Sequence, residues 1–409
     1  MSNFLTSIHI NKIFHLENFG IQIDNNEKKH LIITGKNGSG KTSLLNALVE
    51  FFQRIQNDRI LSFLDFEKDL NSLKKSLTSK QKIDSGNYIR HQEEVTKDLQ
   101  KRVSSTHGKL RPEFNDLIEI SRIIQNAGFL FAFYAANRKT EVVIPKNPEK
   151  PNLNPVSDLT KSMQSEFVKF LVDLKIQEAL ARNENAIKDA NKIKEWFDNF
   201  EELLGEIFEG SNVSLNFNYK DYSFTINQDG REFGFNQLSD GYSAIIDIIA
   251  DLILKMQNPD SLTRAYEREG IVLIDEIETH LHLELQRLIL PMLTRVFPNI
   301  QFIVTTHSPF VLSSIKNAVA FDLEKRERLE DLTEYSYEAL AEGYFKVKTD
   351  SNFLEAKLLR FKELAEKSDR DSAENTEYED LDKEFQSLDE SLAPQNVKSE
   401  YRKIKLTSK

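Results

Sequence analysis

Residues 35–42 read Gly-Lys-Asn-Gly-Ser-Gly-Lys-Thr, the spacing of a loop that wraps phosphate groups in backbone amides. Gly35, Gly38 and Gly40 permit positive dihedrals, so several N–H groups and a helix start can converge on a polyphosphate. The apolar run Leu31-Ile32-Ile33 before the loop and the helix-like residues 43–48 after it give the strand, loop, helix order this chemistry needs. Gly35, Asn37, Gly38, Ser39, Gly40, Lys41, Thr42 and Ser43 are therefore the candidate contacts to a nucleotide, with Lys41 reaching the β- and γ-phosphates. A second group lies at residues 271–276, Ile-Val-Leu-Ile-Asp-Glu, where four apolar residues end in two carboxylates. At the C-terminal end of a buried strand, Asp275 and the Thr42 hydroxyl suit a magnesium ion held partly through water. Glu276 suits orientation or deprotonation of an attacking water. Alone, the Asp-Glu pair is an exposed acidic turn; with the phosphate loop upstream it reads as a metal and general-base pair.

Positioning these groups requires an α/β core, and the apolar runs supply one. Residues 271–274 and 301–305 are too short for helices and read as parallel strands covered on both faces. Residues 129–135 form an aromatic run consistent with a further buried strand, and residues 8–23 alternate in a strand-like way ahead of the phosphate-loop strand. Residues 222–235 read as a hairpin turning through Asn227-Gln-Asp-Gly230, and a helix starts near Ser239. Phe167, Phe170, Leu171 and Leu174, then Ile193, Trp196, Phe197 and Phe200, stand at helical spacing and predict a helical lobe. The expected organisation is a core from residues 1–50, 129–145 and 216–330, a polar helical insertion at 51–128, a helical lobe at 146–215 and a helical, acidic tail at 331–409.

Composition narrows the class. The 409 residues allow two or three domains, and 39% hydrophobic content sustains a core despite 29% charged residues. No run approaches the ~18 apolar residues of a membrane helix, and residues 1–10 carry no secretion signal, so a cytoplasmic location is expected. The chain has no cysteine, which excludes disulfides and thiolate metal sites. A net charge of -11 argues against indiscriminate polyanion binding by the whole surface.

The order of phosphate loop, Leu238-Ser-Asp-Gly-Tyr242, apolar strand with Asp275-Glu276, and strand ending in Thr306-His-Ser-Pro309 resembles that of the ATP-binding-cassette ATPases. Glu278-Thr-His-Leu-His282 resembles the branch holding RecF, the SMC proteins and the overcoming-lysogenization-defect ATPases. The resemblance implies an α/β ABC-ATPase head with a mixed sheet, inserted helical lobes and a helical tail, using ATP and Mg2+. It implies two ATPs sandwiched head to tail between two copies, with Ser239 and Gly241 of one chain contacting the γ-phosphate held by the other. A plain N-cap is the alternative for Ser239. Lys41, Glu276 and His307 are the implied catalytic set, His307 bonding the γ-phosphate. His280 and His282 also have metal-ligand chemistry, although the family uses this stretch as a loop crossing the dimer interface. Two departures stand out: Asn18-Phe19 is followed by Gly20 where RecF-like chains often carry Arg, and the family's glutamine has no clear counterpart near Asn137-Arg138.

About ninety residues follow the motif-bearing residues 1–320, and Asp369-Arg-Asp371 sits there in a polar stretch without the strand a Toprim nuclease needs; it reads as a solvated helix end. The chain is similar in this to stand-alone ATPase subunits of the Septu and retron antiphage systems, where a separate HNH nuclease does the cutting. That implies a slow ATPase, a homodimer or higher homo-oligomer, and a nuclease partner. A RecF-like DNA repair ATPase and a nucleotide-dependent scaffold with incidental turnover are the rival readings. Residues 68–112 hold eleven Lys or Arg against five acids, which suits a nucleic-acid contact or a solvated helical insertion. The acidic residues 371–390 suit docking of a basic nuclease or disorder.

Overall fold

The computed structural model describes residues 3–57, 95, 97, 108–125, 128–137, 143, 145, 147–153, 158–210, 212–257, 268–329, 331–335, 337–344, 352–367, 369–388 and 395–407. The chain divides into two compact units, Met1–Glu334 and Tyr335–Lys409. Strands of the first unit are β1 (Leu5–Ile13), β2 (Leu16–Gln22), β3 (His30–Thr34), β4 (Leu110–Phe114), β5 (Phe129–Tyr134), β6 (Val213–Asn218), β7 (Ser223–Gln228), β8 (Arg231–Gly234), β9 (Glu269–Ile274), β10 (Ile300–Thr305), β11 (Ala318–Asp322) and β12 (Glu327–Leu329). Its helices are α1 (Lys41–Gln56), α2 (Leu117–Gln125), α3 (Phe167–Asn183), α4 (Ile187–Ile207), α5 (Asp240–Met256), α6 (Leu283–Val296) and the single turn α7 (Pro309–Leu312).

The main sheet is mixed, with strand order β12-β11-β3-β10-β9-β5; all but the edge strand β12 run parallel. Every residue of β3 and β10 is buried, as expected of parallel strands covered on both faces. Phe52 of α1 stacks on Phe131 of β5 with ring centroids 4.4 Å apart, which seats the helix on the sheet. Beside it lies an antiparallel sheet of order β2-β1-β4. The buried Gln301 amide joins the two sheets: its Oε1 accepts the Leu5 N–H at 2.8 Å, and its Nε2 donates to the Leu5 and Lys29 carbonyls at 2.9 and 2.7 Å.

The expected helical insertion at residues 51–128 lies mostly outside the described residues, and its two described ends belong to the core. Helix α1 runs on to Gln56, and residues 110–114 form strand β4, pairing Ile8 with Pro112 and Ile10 with Leu110, before α2. Pro112 hides this strand in the sequence, yet it is tolerated because β4 is a sheet edge. The basic stretch at 68–112 lies almost wholly outside the described residues; of its described bases, Lys109 is paired with Glu50 at 2.6 Å.

The lobe is the helix pair α3 and α4, packed through Phe167, Phe170, Trp196 and Phe200, with Trp196 stacked on Phe200 at 5.4 Å. Strands β6, β7 and β8 form a third, antiparallel sheet, and the β7–β8 turn uses Asp229 and Gly230 at φ +50° and +85°, the Asp-Gly chemistry of a tight hairpin. Glu201 of α4 accepts the Leu215 N–H at 2.7 Å and so ties lobe to sheet.

The second unit contains α8 (Asn352–Glu366), α9 (Ser372–Ser387) and α10 (Gln395–Thr407) around Phe361, Phe385, Val397 and Ile404. Asp371 caps α9, accepting the Glu374 N–H at 2.8 Å, so Asp369-Arg-Asp371 is a helix start. The acidic stretch is thus ordered over α9, where Glu377, Glu374 and Asp382 pair with Arg360, Lys367 and Lys405.

His30 accepts the Phe302 N–H through Nδ1 at 3.0 Å, and burial, aided by the Lys28 charge, pushes its pKa from 6.5 down to about 4. Between those values the unfolded chain binds a proton that the folded one refuses, so stability falls with decreasing pH across that window, by up to about 3 kcal/mol. Urea midpoints measured for wild type and His30→Asn, which retains an acceptor, check this: the variant should lose less stability over the window, and equal losses would refute the assignment.

Candidate nucleotide-binding site

The site stands at the C-terminal ends of β3, β9 and β10. After β3, Gly35, Gly38 and Gly40 take φ +137°, +81° and +98°. At Gly40, the N-cap of α1, a methyl group would also lie 2.8 Å from Leu16 Cδ1, so β2 and the loop touch only because no side chain intervenes. No side chain caps α1, which leaves its first-turn amides for an anion. Lys41 is buried and folds back, its Nζ donating to the Gly35 and Lys36 carbonyls at 2.9 and 3.1 Å. An ammonium has three donors, so one remains for a phosphate oxygen. Burial pushes the Lys41 pKa down, while Glu276, Asp275, Glu278 and Asp322 pull it up. Ser39 Oγ is buried in the loop with no hydrogen-bond partner among the described residues.

Asp275 ends β9 and is buried. Its Oδ2 accepts the Thr42 hydroxyl at 2.8 Å and its Oδ1 accepts the Thr305 hydroxyl at 2.6 Å. Thr305 Oγ1 in turn accepts the Glu276 N–H at 2.7 Å. Glu276 is held at φ +45°, a left-handed conformation that a non-glycine residue adopts at a cost, and the Thr279 hydroxyl lies 3.4 Å from its Oε2. His307 follows β10; its main-chain N–H donates to Glu278 Oε1 at 2.5 Å. Burial, then the Lys41 charge, lowers the His307 pKa against the opposing pull of Glu278, Glu276 and Asp275, so the imidazole is neutral at neutral pH.

Lys41, Thr42, Asp275, Glu276 and His307 are thus gathered at one place. Ser239 and Gly241 are not bonded to the phosphate loop among the described residues. Ser239 occupies the N-cap position of α5, but its side chain makes no capping bond, contrary to the alternative of a plain cap. A methyl on Gly241 would stand 2.7 Å from the His280 carbonyl oxygen, so α5 begins in direct contact with the loop after β9. His282 pairs with Glu209 at 3.0 Å, and among the described residues no group of three or more His, Asp or Glu is gathered for a metal. A divalent ion would accordingly use the hard oxygens of Thr42 and Asp275, whose 2.8 Å contact fits them to share one, together with substrate phosphates. Thr305 and Glu278 were given no role in the sequence: Thr305 reads as strand, and Glu278 opens the Glu278-Thr-His-Leu-His282 stretch without a function of its own.

Parallel sheet order, glycine loop and carboxylate pair define a nucleotide-binding domain of the ABC-ATPase type. The chain belongs to the family described as "AAA domain, putative AbiEii toxin, Type IV TA system", whose model matches residues 84–313 and so begins after the phosphate loop. It is 25% identical to "Retron Vc95 probable ATPase" of Vibrio cholerae serotype O1 biovar El Tor over 72% of this chain and 69% of that protein. It is 47% identical to "Septu protein PtuA" of Bacillus mycoides (strain KBAB4), over 22% of this chain and 13% of that protein. It is 51% identical to "Retron Ec83 probable ATPase" of Escherichia coli, over 19% of this chain and 15% of that protein.

The Thr305 hydroxyl bridges the Asp275 carboxylate and the Glu276 N–H in a buried place. Thr305→Val is expected to lower the unfolding free energy by about 1–3 kcal/mol, and Thr305→Ser to restore most of it. Thermal denaturation of the pair checks this, and equal stabilities would show that the hydroxyl is idle.

Proposed function

We propose that this chain binds ATP and hydrolyses it slowly at a composite site formed by two copies, and that opening and closing of this dimer controls a separate nuclease in a cytoplasmic antiphage defence complex. The observation that supports this chemistry is the Thr42–Asp275 bond of 2.8 Å beside Glu276, an arrangement that suits cation-binding oxygens and a general base next to the phosphate loop. The defence context rests on the similarity to the Vc95 retron ATPase and to PtuA, and the nuclease, of HNH type, on analogy with such systems.

ATP lies with its β- and γ-phosphates against the loop amides and Lys41. A Mg2+ ion would be held by Thr42 and Asp275 and would supply neutralisation of charge on the phosphate oxygens. Glu276 takes a proton from a water whose oxygen bonds to the γ-phosphorus while the bond to the β–γ bridging oxygen breaks, leaving ADP and inorganic phosphate. His307, neutral, gives a ring N–H to a γ-phosphate oxygen. Ser239 and Gly241 of the second copy close the site: an uncapped hydroxyl and the positive end of α5 are good anion ligands.

Glu276→Gln should keep ATP binding, lose turnover and double in mass on adding ATP, whereas wild type returns to the smaller species as ATP is consumed. Adding Ser239→Arg should abolish the mass change while leaving nucleotide affinity within about threefold. Light scattering with and without ATP, beside phosphate release, decides it; a chain that neither associates nor hydrolyses ATP sinks the proposal.

A further inference from the structure

Of the three carboxylates that follow β9 within four residues, Asp275 and Glu276 have the roles given above and Glu278 has none. Its Oε1 accepts the His307 main-chain N–H at 2.5 Å. Its Oε2 is buried with no hydrogen-bond partner among the described residues. A buried carboxylate oxygen left in this state costs free energy, and proteins keep few of them.

The neighbours of His307 are fixed on both sides. The Thr306 N–H donates to the Ile33 carbonyl at 3.0 Å, which locks the backbone to β3. The Ser308 N–H donates to Thr306 Oγ1 at 2.9 Å, and its hydroxyl donates to Gln286 Oε1 at 2.7 Å. Between these anchors the His307 peptide is held from across the site by Glu278. The Glu278 charge also acts on the Lys41 ammonium and on the His307 imidazole, so this carboxylate belongs electrostatically to the phosphate-loop cluster.

We propose that Glu278 is a positioning residue: by gripping the His307 peptide from the loop after β9 it fixes where the imidazole stands, and it acts on turnover through His307 and not on ATP itself. The inference rests on reading the site as an ATPase. Three variants separate reach from charge. Glu278→Gln keeps an acceptor at the same distance, Glu278→Asp keeps the charge but withdraws it by one methylene, and Glu278→Ala removes both.

Turnover of Glu278→Ala and Glu278→Asp should fall about tenfold or more in kcat with KM for ATP within about threefold, and Glu278→Gln should stay within about threefold of wild type. A second readout needs no turnover. In nucleotide-free protein, hydrogen exchange at the His307 amide should speed up in Glu278→Ala and Glu278→Asp and stay slow in Glu278→Gln. Wild-type kcat in Glu278→Ala, equal impairment of Glu278→Gln and Glu278→Ala, a loss confined to KM, or unchanged amide exchange in Glu278→Ala would each overturn the proposal. Should wild type itself not hydrolyse ATP, the reading of the site fails while the exchange experiment still decides what Glu278 holds.

Discussion

Everything at the site depends on one buried carboxylate whose two oxygens are claimed by different parts of the fold. Asp275 takes a hydroxyl from the first turn of α1 through Thr42 and another from the end of β10 through Thr305. Its own N–H donates to the Tyr134 carbonyl of β5 at 2.8 Å. Three strands and the phosphate-loop helix are therefore locked in register by groups on a single residue. Hydrogen bonds to a charged acceptor are stronger than neutral ones, so the geometry is stiff where it has to be. The Glu276 backbone is strained against the same threonine, and that strain persists because the surrounding bonds leave it no alternative.

Charge explains the second feature of the site. Four carboxylates, Asp275, Glu276, Glu278 and Asp322, act on the single ammonium of Lys41. Before any phosphate enters, negative charge is in excess, and the ammonium is partly satisfied by the Gly35 and Lys36 carbonyls. A polyphosphate would add further negative charge, which a cation at the proposed Thr42–Asp275 site would offset. The same field decides the state of His307. Burial and Lys41 together outweigh three carboxylates and leave a neutral imidazole, able to donate one N–H while the other ring nitrogen accepts.

The parts of this design that are legible in sequence are those written in local patterns. Residues 35–42 carry their own conformational demand in three glycines, and Ile271 to Ile274 declare a doubly covered strand, so both were recoverable without neighbours. The hairpin at Asp229-Gly230 is equally local, since that dipeptide suits the positive dihedrals the turn uses. What the sequence hides is pairing across long separations. Strand β4 reads as a polar segment with a proline, and only its place beside β1 makes it a strand. Thr305 is indistinguishable from any β-branched strand residue until Asp275 and Glu276 are folded against it, and Glu278 is one acid among several until it meets the His307 amide. The acidic run near the C-terminus has the composition of a disordered tail, yet α9 is stable because Tyr378 and Phe385 on one face meet Phe361 while bases on α8 and α10 match its acids.

The contact at Gly241 carries the argument one step beyond a single site. The start of α5 sits against the His280 carbonyl so closely that a methyl group would not fit, and His280 itself takes φ +68° to present it. The loop that makes this contact begins with Glu276 and continues through Glu278, so five consecutive residues hold the proposed general base, the bond to the His307 N–H and the seat of the serine-bearing helix. Such a strip cannot be displaced at one end without strain at the other, because close-packed contacts have no slack to absorb the movement. Under the proposed head-to-tail pairing, pressure on Ser239 and Gly241 from a ligand held by another copy would bear on the strip that carries Glu276, and an α5 start with a side chain in place of the Gly241 hydrogen would lose its fit against His280.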